Sequence, residues 1–216
     1  MSRFRMSIFS RSKQMNETII ERYTKEVKSE SLGCTIIDPY IILNTNDAIL
    51  ELGSGNGNFA ARLSDTYDSS IRITGVDLTP AMVLKANMVN KRDNISYMCS
   101  DIVHIPLADS GFNVIVSNCV INHIADKEAV YREIYRLLKN DGYFLVGDIV
   151  SVGWLPDEVR NDPSAIADCY GGAIPEDIYL ESIKKAGFNT IEIISRRQYE
   201  KNGFPIESLL IKGVKK

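Results

Sequence analysis

Short apolar runs alternate with longer segments of mixed polarity along most of the chain after residue 47. Runs that are rich in β-branched residues and end at turn-forming residues predict buried strands. Segments of about ten residues with apolar positions at helical spacing predict amphipathic helices between those strands. The predicted strands cover residues 48–52, 71–76, 95–99, 112–117, 143–149, 189–195 and 207–214.

The predicted helices cover residues 12–28, 58–67, 79–90, 127–138 and 175–186. Thr79 and Pro80 suit the N-cap and first helical position of the third, and Gly187 follows the end of the last. Strands that alternate with helices indicate parallel βαβ units, so we predict an α/β fold with a doubly wound sheet and helices on both faces. Residues 196–205 show no helical pattern, so a hairpin-like return would make the last strand antiparallel.

Composition limits the size and the partners of this domain. The chain has 216 residues, of which 44% are apolar and 25% charged, which is ordinary for one globular domain. We predict a single domain over residues 1–216, with an N-terminal helical segment over about 1–45 and a lid-like insertion over about 151–174. The formal net charge of −3 does not indicate a nucleic-acid-binding surface, which usually shows a basic excess.

The chain also lacks membrane and secretion signals. No apolar run approaches the roughly 18–20 residues that cross a bilayer, and residues 1–12 lack the apolar core of a secretory signal. We therefore expect a cytoplasmic protein that binds neither a membrane nor a nucleic acid, and the oligomeric state stays open.

Cysteine usage argues against a structural zinc site. The chain has 4 cysteines and 2 histidines, and no two cysteines form a C-x-x-C pair. In a reducing compartment all four are expected to be free thiols. Cys99 lies inside a predicted strand, so we expect it to be a small buried residue.

A glycine-rich motif, E-L-G-S-G-N-G at residues 51–57, joins the first predicted strand to the first helix of the alternating pattern. Its glycines allow the backbone to approach a ligand closely. A dinucleotide-binding loop reads G-x-G-x-x-G and cradles a diphosphate, whereas Asn58 stands where its third glycine would fall. Glu51 is unsuited to a diphosphate and suits a cationic ligand. The motif therefore favours a nucleoside ligand with a positive group.

Two further acidic residues follow neighbouring predicted strands. Asp77 ends the second strand, where an acidic residue binds ribose hydroxyls in this architecture. Asp101 follows the third strand, at a position suited to the adenine amino group. Either residue alone could simply be solvated at the end of a strand. Together with Glu51 and the glycine loop, they predict a nucleoside pocket without a phosphate site.

These motifs resemble those of the class I S-adenosylmethionine-dependent methyltransferases. The likeness includes residues 51–57, 77, 101–102, 105–107, 112–117 and 137–142 and extends over about residues 45–195. It implies a seven-stranded sheet with an antiparallel last strand, S-adenosyl-L-methionine as cofactor, S-adenosyl-L-homocysteine as product, and no required metal. The cofactor contacts that we predict on this basis are Glu51, Gly53, Ser54, Gly55, Gly57, Asp77, Leu78, Met82, Asp101, Ile102 and Asn118.

A narrower likeness concerns the predicted acceptor site. S-N-C-V-I-N at residues 117–122, D-K-E-A-V at 126–130, residues 155–163 and C-Y-G-G-A at 169–173 resemble arsenite methyltransferases. The resemblance implies that Cys119 and Cys169, together with Cys34, bind trivalent arsenic as a small-molecule acceptor. The sequence departs from that family at His123, which replaces an apolar residue, and at Ser54, where some members have a cysteine.

Alternatives remain open at the acceptor end. His123 could act as a general base for an organic acceptor, such as a quinone-like or thiol metabolite, or could simply bond to backbone. The cysteines could be small buried residues, and the chain could bind S-adenosylmethionine without catalysing transfer. Tyr23, Trp154 and Tyr170 could line a pocket or pack in the core. Arg196 and Arg197 are predicted to be solvated surface charges.

Overall fold

The computed structural model describes residues 15–25 and 35–216. Seven strands form one sheet, and they are β1 Ala48–Leu52, β2 Arg72–Asp77, β3 Ile95–Cys99, β4 Phe112–Asn118, β5 Leu138–Ser151, β6 Thr190–Lys201 and β7 Phe204–Val214. Their order in the sheet is β3-β2-β1-β4-β5-β7-β6. Every neighbouring pair is parallel except those of β7, which runs antiparallel to both β5 and β6. The predicted doubly wound sheet and its antiparallel last strand are confirmed.

Helices cover both faces of this sheet. A first helix, α1, occupies residues 15–25, and the remainder of the predicted 12–28 helix lies outside the described residues. Asp126 caps the helix Lys127–Leu137 by accepting a hydrogen bond from the amide of Ala129, whereas Thr79 precedes the helix Pro80–Val89 without a side-chain cap. The other helices are α2 Asn58–Thr66, α3 Pro80–Val89, α4 Lys127–Leu137, α5 Asp157–Arg160, α6 Pro163–Ala167 and α7 Glu176–Lys185.

The two faces of the sheet carry separate hydrophobic cores. Leu50 of β1 packs in a cluster with Ile134 of α4 and Ile183 of α7. Ile49, the adjacent residue, packs in a second cluster with Leu63 of α2. Successive side chains of a strand point to opposite faces, so a strand covered on both sides reads as a continuous apolar run.

This strand order places the ends of three strands beside one another. β1 lies between β2 and β4, and all three run in the same direction. Parallel strands in a doubly wound sheet form a crevice outside their carboxyl ends, at the point where the strand order reverses. The residues that follow Leu52, Val76 and Ser117 therefore meet at one edge of the sheet.

The prediction of a loop over residues 196–205 is wrong. β6 and β7 pair as far as Lys201 and Phe204, which leaves only Asn202 and Gly203 as the turn. Both turn residues have positive φ, 52° and 81°, as a tight two-residue hairpin turn requires. Asn-Gly is a strong hairpin signal. The charged residues before it, however, do not show the apolar alternation that predicts a strand, so the extension of β6 and β7 was missed.

The 151–174 insertion is folded against the end of the sheet. It contains α5, α6 and a short 3-10 turn at Tyr170–Gly172, and it begins at a β-bridge between Ser151 and Pro175. Leu155 and Ala173 are buried in a small cluster with Ile206 of β7. None of the helices in the described parts of the chain is long and apolar enough to span a membrane.

Candidate functional site

A cavity of about 600 Å³ opens at the carboxyl ends of β1, β2 and β4, within the usual size range of small-molecule sites. It brings together all but one of the residues predicted to bind the cofactor and two of those predicted to hold an acceptor. Those lining it are Glu51, Gly53, Ser54, Gly55, Asp77, Leu78, Met82, Asp101, Ile102, Asn118, Cys119 and His123.

Asp77 holds the glycine loop in position. One of its carboxylate oxygens accepts a hydrogen bond of 2.8 Å from the Gly55 amide, and the other accepts one of 2.8 Å from the Thr79 amide. Gly53 and Gly55 have φ values of 72° and 52°, which suit glycine. Burial raises the pKa of Asp77, and the two amide hydrogen bonds oppose that shift. The loop and the acid therefore form one unit at the end of β2.

Glu51 and Ser54 supply unsatisfied polar atoms to the same cavity. Glu51 is only 9% exposed, and within the described residues its Oε2 has no hydrogen-bond partner, nor does the hydroxyl of Ser54. Burial raises the pKa of Glu51 well above its usual value, and the nearby charge of Asp77 adds to the shift. A buried carboxyl without a donor is costly unless a ligand supplies one. The site therefore fits a ligand with a cationic hydrogen-bond donor at this end.

Gly57 does not line the cavity, contrary to its predicted role as a contact. It has a φ of 81° and precedes α2, and a Cβ atom there would lie 2.4 Å from the Tyr97 hydroxyl oxygen. Tyr97 in turn donates a hydrogen bond of 3.2 Å to the Gly57 carbonyl. The third glycine of the motif is therefore required for packing against β3.

Asn118 ties a further segment across the cavity. Its side-chain amide donates a hydrogen bond of 2.8 Å to the carbonyl of Thr35, and its carbonyl accepts one of 3.3 Å from the Thr35 amide. Thr35, Ile37 and Asp38 all line the cavity, although no sequence motif indicated them. Asn118 thus holds residues 35–38, which form one wall of the cavity, through hydrogen bonds to the backbone of Thr35.

Cys119 follows β4 and lines the cavity. It has a φ of 58° and is only 7% exposed. Cys119 is disulfide-bonded, so the expectation that all four cysteines are free thiols is wrong for this residue. Cys99 is reduced but exposed at the end of β3, and the expectation of a buried side chain there is also wrong. Cys34 lies outside the described residues.

Cys169 approaches Cys119 from the insertion. Its Sγ lies 3.2 Å from the Cys119 carbonyl oxygen and 3.4 Å from Nε2 of His123. Burial raises the pKa of the Cys169 thiol to about 12. The thiol is reduced and half-buried, and Cys169 is not among the residues that line the cavity.

His123 connects three parts of the molecule. Its Nδ1 donates a hydrogen bond of 2.9 Å to the Ile166 carbonyl, so Nε2 is left as an acceptor toward the Tyr23 hydroxyl at 2.9 Å. Burial lowers the pKa of His123 to about 4. A general base works best when its pKa is near the operating pH, so these contacts favour a structural role for the ring.

The outer part of the cavity includes residues that the sequence placed elsewhere. Of the three aromatic residues whose role the sequence left open, Tyr23 lines the cavity, whereas Trp154 is 56% exposed and Tyr170 stacks on Phe204. Arg197 and Tyr199 of β6 also line it, because the hairpin is longer than predicted. No group of three or more His, Cys, Asp or Glu side chains able to hold a metal occurs within residues 15–25 and 35–216.

Comparison with known proteins gives both curated relatives and solved structures. Arsenite methyltransferases from Halobacterium salinarum and Aquipseudomonas alcaligenes are 32% and 31% identical over 75% and 82% of this chain. The alignments cover 42% and 53% of those proteins, so the chain spans about half the length of the curated relatives that it matches. The human arsenite methyltransferase is 30% identical, with 78% of this chain and 48% of that protein covered.

Solved structures support the fold. An arsenic (III) S-adenosylmethionine methyltransferase from Chlamydomonas reinhardtii superimposes with a TM-score of 0.75 at 24% identity, covering 92% of this chain and 73% of that one. A Haemonchus contortus phosphoethanolamine N-methyltransferase in complex with S-adenosyl-L-methionine gives a TM-score of 0.68 at 19% identity, with 83% and 51% covered. The family model described as a methyltransferase domain matches residues 43–187. The chain therefore belongs to the methyltransferase domain family.

Proposed function

We propose that this protein transfers a methyl group from S-adenosylmethionine to trivalent arsenic held by cysteine thiolates. The observation that carries the proposal is the approach of Cys169 to Cys119, at 3.2 Å from sulfur to carbonyl oxygen, beside a nucleoside-type cavity. The similarity to arsenite methyltransferases from archaea, bacteria and mammals supports arsenite as the leading acceptor.

The cavity supplies matching groups for each part of the cofactor. Glu51 and Ser54 carry the unsatisfied polar atoms suited to the amino-acid end, because an ammonium group would supply the donor that Glu51 lacks. Asp77, at the end of β2, would bind the ribose hydroxyls, and Asp101, at the end of β3, the adenine amino group. S-adenosylmethionine supplies an electrophilic methyl group on a sulfonium sulfur.

The acceptor end would bind arsenic through sulfur. Trivalent arsenic is soft, so thiolates hold it well, and its lone pair makes a general base unnecessary for attack on the methyl group. The protein then contributes mainly proximity and orientation. Cys119 and Cys169 are the proposed ligands, and Cys34 is a third candidate by resemblance. Because Cys119 is disulfide-bonded, activity requires a thiol reductant.

The proposal also includes a cytoplasmic location and the absence of nucleic-acid and membrane partners. The net charge of −3 and the absence of a membrane-spanning helix among the described residues support it. A methyltransferase for an organic acceptor and a non-catalytic S-adenosylmethionine-binding protein are the rivals that an assay must separate.

A turnover assay tests the proposal. Protein is incubated with S-adenosylmethionine, a thiol reductant and arsenite, and both S-adenosylhomocysteine and methylated arsenic are measured. We expect methylated arsenic from the unmodified chain and its loss in Cys119→Ser and in Cys169→Ser. Cys99→Ser is the matched control, because Cys99 is reduced, exposed and outside the cavity, and it should retain activity.

The remaining outcomes are equally informative. Protein that binds S-adenosylhomocysteine but yields no methylated arsenic is not an arsenite methyltransferase, and organic acceptors must then be screened. Activity that survives both serine substitutions would show that thiolates do not hold the acceptor.

A further inference from the structure

Cys169 lies near the middle of a short segment whose two ends are tied to the chain that follows Cys119. Nδ1 of His123 donates a hydrogen bond of 2.9 Å to the carbonyl of Ile166, three residues before Cys169. Nζ of Lys127 donates one of 2.8 Å to the carbonyl of Gly172, three residues after it. Both donors come from the 120–127 region, so one short segment holds the other at two points.

The two hydrogen bonds, from His123 to the Ile166 carbonyl and from Lys127 to the Gly172 carbonyl, are called the tethers here. Both are buried, which makes them costly to lose. Lys127 is only 3% exposed and also donates a hydrogen bond of 3.2 Å to the Ile124 carbonyl. His123 is 7% exposed. Removing a buried donor leaves its carbonyl partner unsatisfied inside the protein. Loss of either hydrogen bond would therefore be costly, so the carbonyls of Ile166 and Gly172 stay bonded to His123 and Lys127.

The backbones of the two segments touch between the tethers. A Cβ atom added to Gly172 would lie 1.7 Å from the Asn122 carbonyl oxygen, so only glycine allows this approach. Cys169 itself has a φ of 66° and a ψ of −34°. A non-glycine residue keeps such a conformation only where its surroundings enforce it. The tethers on either side and the contact at Gly172 provide that enforcement.

The geometry points to His123 and Lys127 as positioning residues that set the Cys169 sulfur against Cys119 for binding of trivalent arsenic. This inference rests on the proposed function. It assigns His123 to holding the insertion, and not to proton transfer. It also explains how a lysine without a carboxylate at hydrogen-bond distance among the described residues is retained in the core, since its ammonium group serves two carbonyls.

The experiment measures binding of phenylarsine oxide, a probe whose arsenic bridges two thiols. Full-length reduced protein is titrated, and peptide mass spectrometry reports whether one arsenic links Cys119 to Cys169. We expect His123→Leu and Lys127→Met each to weaken this bridged binding about fivefold to tenfold, the effect of losing about one hydrogen bond. In Lys127→Met the S-adenosylhomocysteine affinity should stay within about twofold, because Lys127 does not line the cavity.

The substitution His123→Asn distinguishes a role of His123 in holding the insertion from a role as a general base. Its side-chain amide can still donate to the Ile166 carbonyl from a position near that of Nδ1, but it cannot accept a proton in this pH range. We expect His123→Asn to recover most of the bridged binding lost in His123→Leu. His104→Leu and Lys184→Met are the matched controls, because both residues are exposed and outside the cavity.

Each outcome decides between the two proposals. If the unmodified protein does not form the bridged adduct, the arsenic acceptor site itself is wrong. If it forms the adduct and His123→Leu and Lys127→Met bind as tightly as the controls, the positioning role is overturned. Failure of His123→Asn to improve on His123→Leu would likewise overturn the tether and indicate a need for the imidazole ring.

Discussion

The thiol of Cys169 donates a hydrogen bond to the carbonyl oxygen of Cys119, with a sulfur-to-oxygen distance of 3.2 Å. The two residues lie 50 positions apart in the chain, and both have positive φ, 66° and 58°. Left-handed conformations in non-glycine residues are uncommon and concentrate where function requires them. Here they bring the Cys169 sulfur against the backbone of Cys119, which lines the cavity.

Asp77→Asn should weaken binding of S-adenosylhomocysteine by about tenfold to a hundredfold. An amide keeps only one oxygen acceptor, so either the Gly55 or the Thr79 amide loses its partner. The fold should remain intact, because neither bond lies in the hydrophobic core. Calorimetric titration measures the affinity, and an unchanged value would remove Asp77 from the cofactor site.

Gly57→Ala should destabilise the protein more than Gly55→Ala. Both glycines have positive φ, so each substitution costs about 1–2 kcal/mol in backbone strain. At Gly57 the new methyl group also meets Tyr97, whereas at Gly55 no atom lies within 4 Å, and such overpacking adds about 1–3 kcal/mol. Urea unfolding of the cofactor-free variants checks this, and equal losses would contradict the packing role of Gly57.

Asn118→Ala should lower cofactor affinity by about threefold to tenfold, because it releases Thr35 from both of its hydrogen bonds. Asn118→Asp should not restore the affinity, since a carboxylate cannot donate to the Thr35 carbonyl. Titration with S-adenosylhomocysteine distinguishes the variants. Full affinity in Asn118→Ala would mean that the 35–38 wall does not contribute to binding.

Asp148 should make stability depend on pH in a defined window. Burial raises its pKa from 3.8 to about 6, while the nearby charge of Lys127 opposes the shift. The folded state therefore binds the proton more tightly, and this stabilising contribution is lost as pH rises from about 4 to about 6. The free energy of unfolding of the unmodified chain, relative to Asp148→Asn, should fall by roughly 2–3 kcal/mol across that window.

Urea unfolding at several pH values measures this difference. Asp93→Asn, a substitution at an exposed carboxyl on the surface, is the matched control. A difference between the unmodified chain and Asp148→Asn that stays flat with pH, or rises, would contradict the assignment.

Much of the fold and half of the site followed from local patterns. The continuous apolar run of β1, the E-L-G-S-G-N-G loop and the acid at Asp77 depend on backbone conformation and burial within a few residues. Those constraints act through neighbours in the chain, so they leave a readable periodicity. The antiparallel return of β7 was predicted from the absence of a helical pattern between the last two strands, although the bounds of that connection were wrong.

The rest depended on contacts between distant residues. Thr35 meets Asn118 across 83 positions, and Tyr23 meets His123 across 100. Arg197 and Tyr199 line the cavity only because β6 continues along β7. The cysteines could be proposed as a pair from sequence, but the two tethers that set their spacing could not. Side-chain direction across a fold is decided by packing of separate elements, and no local pattern encodes it.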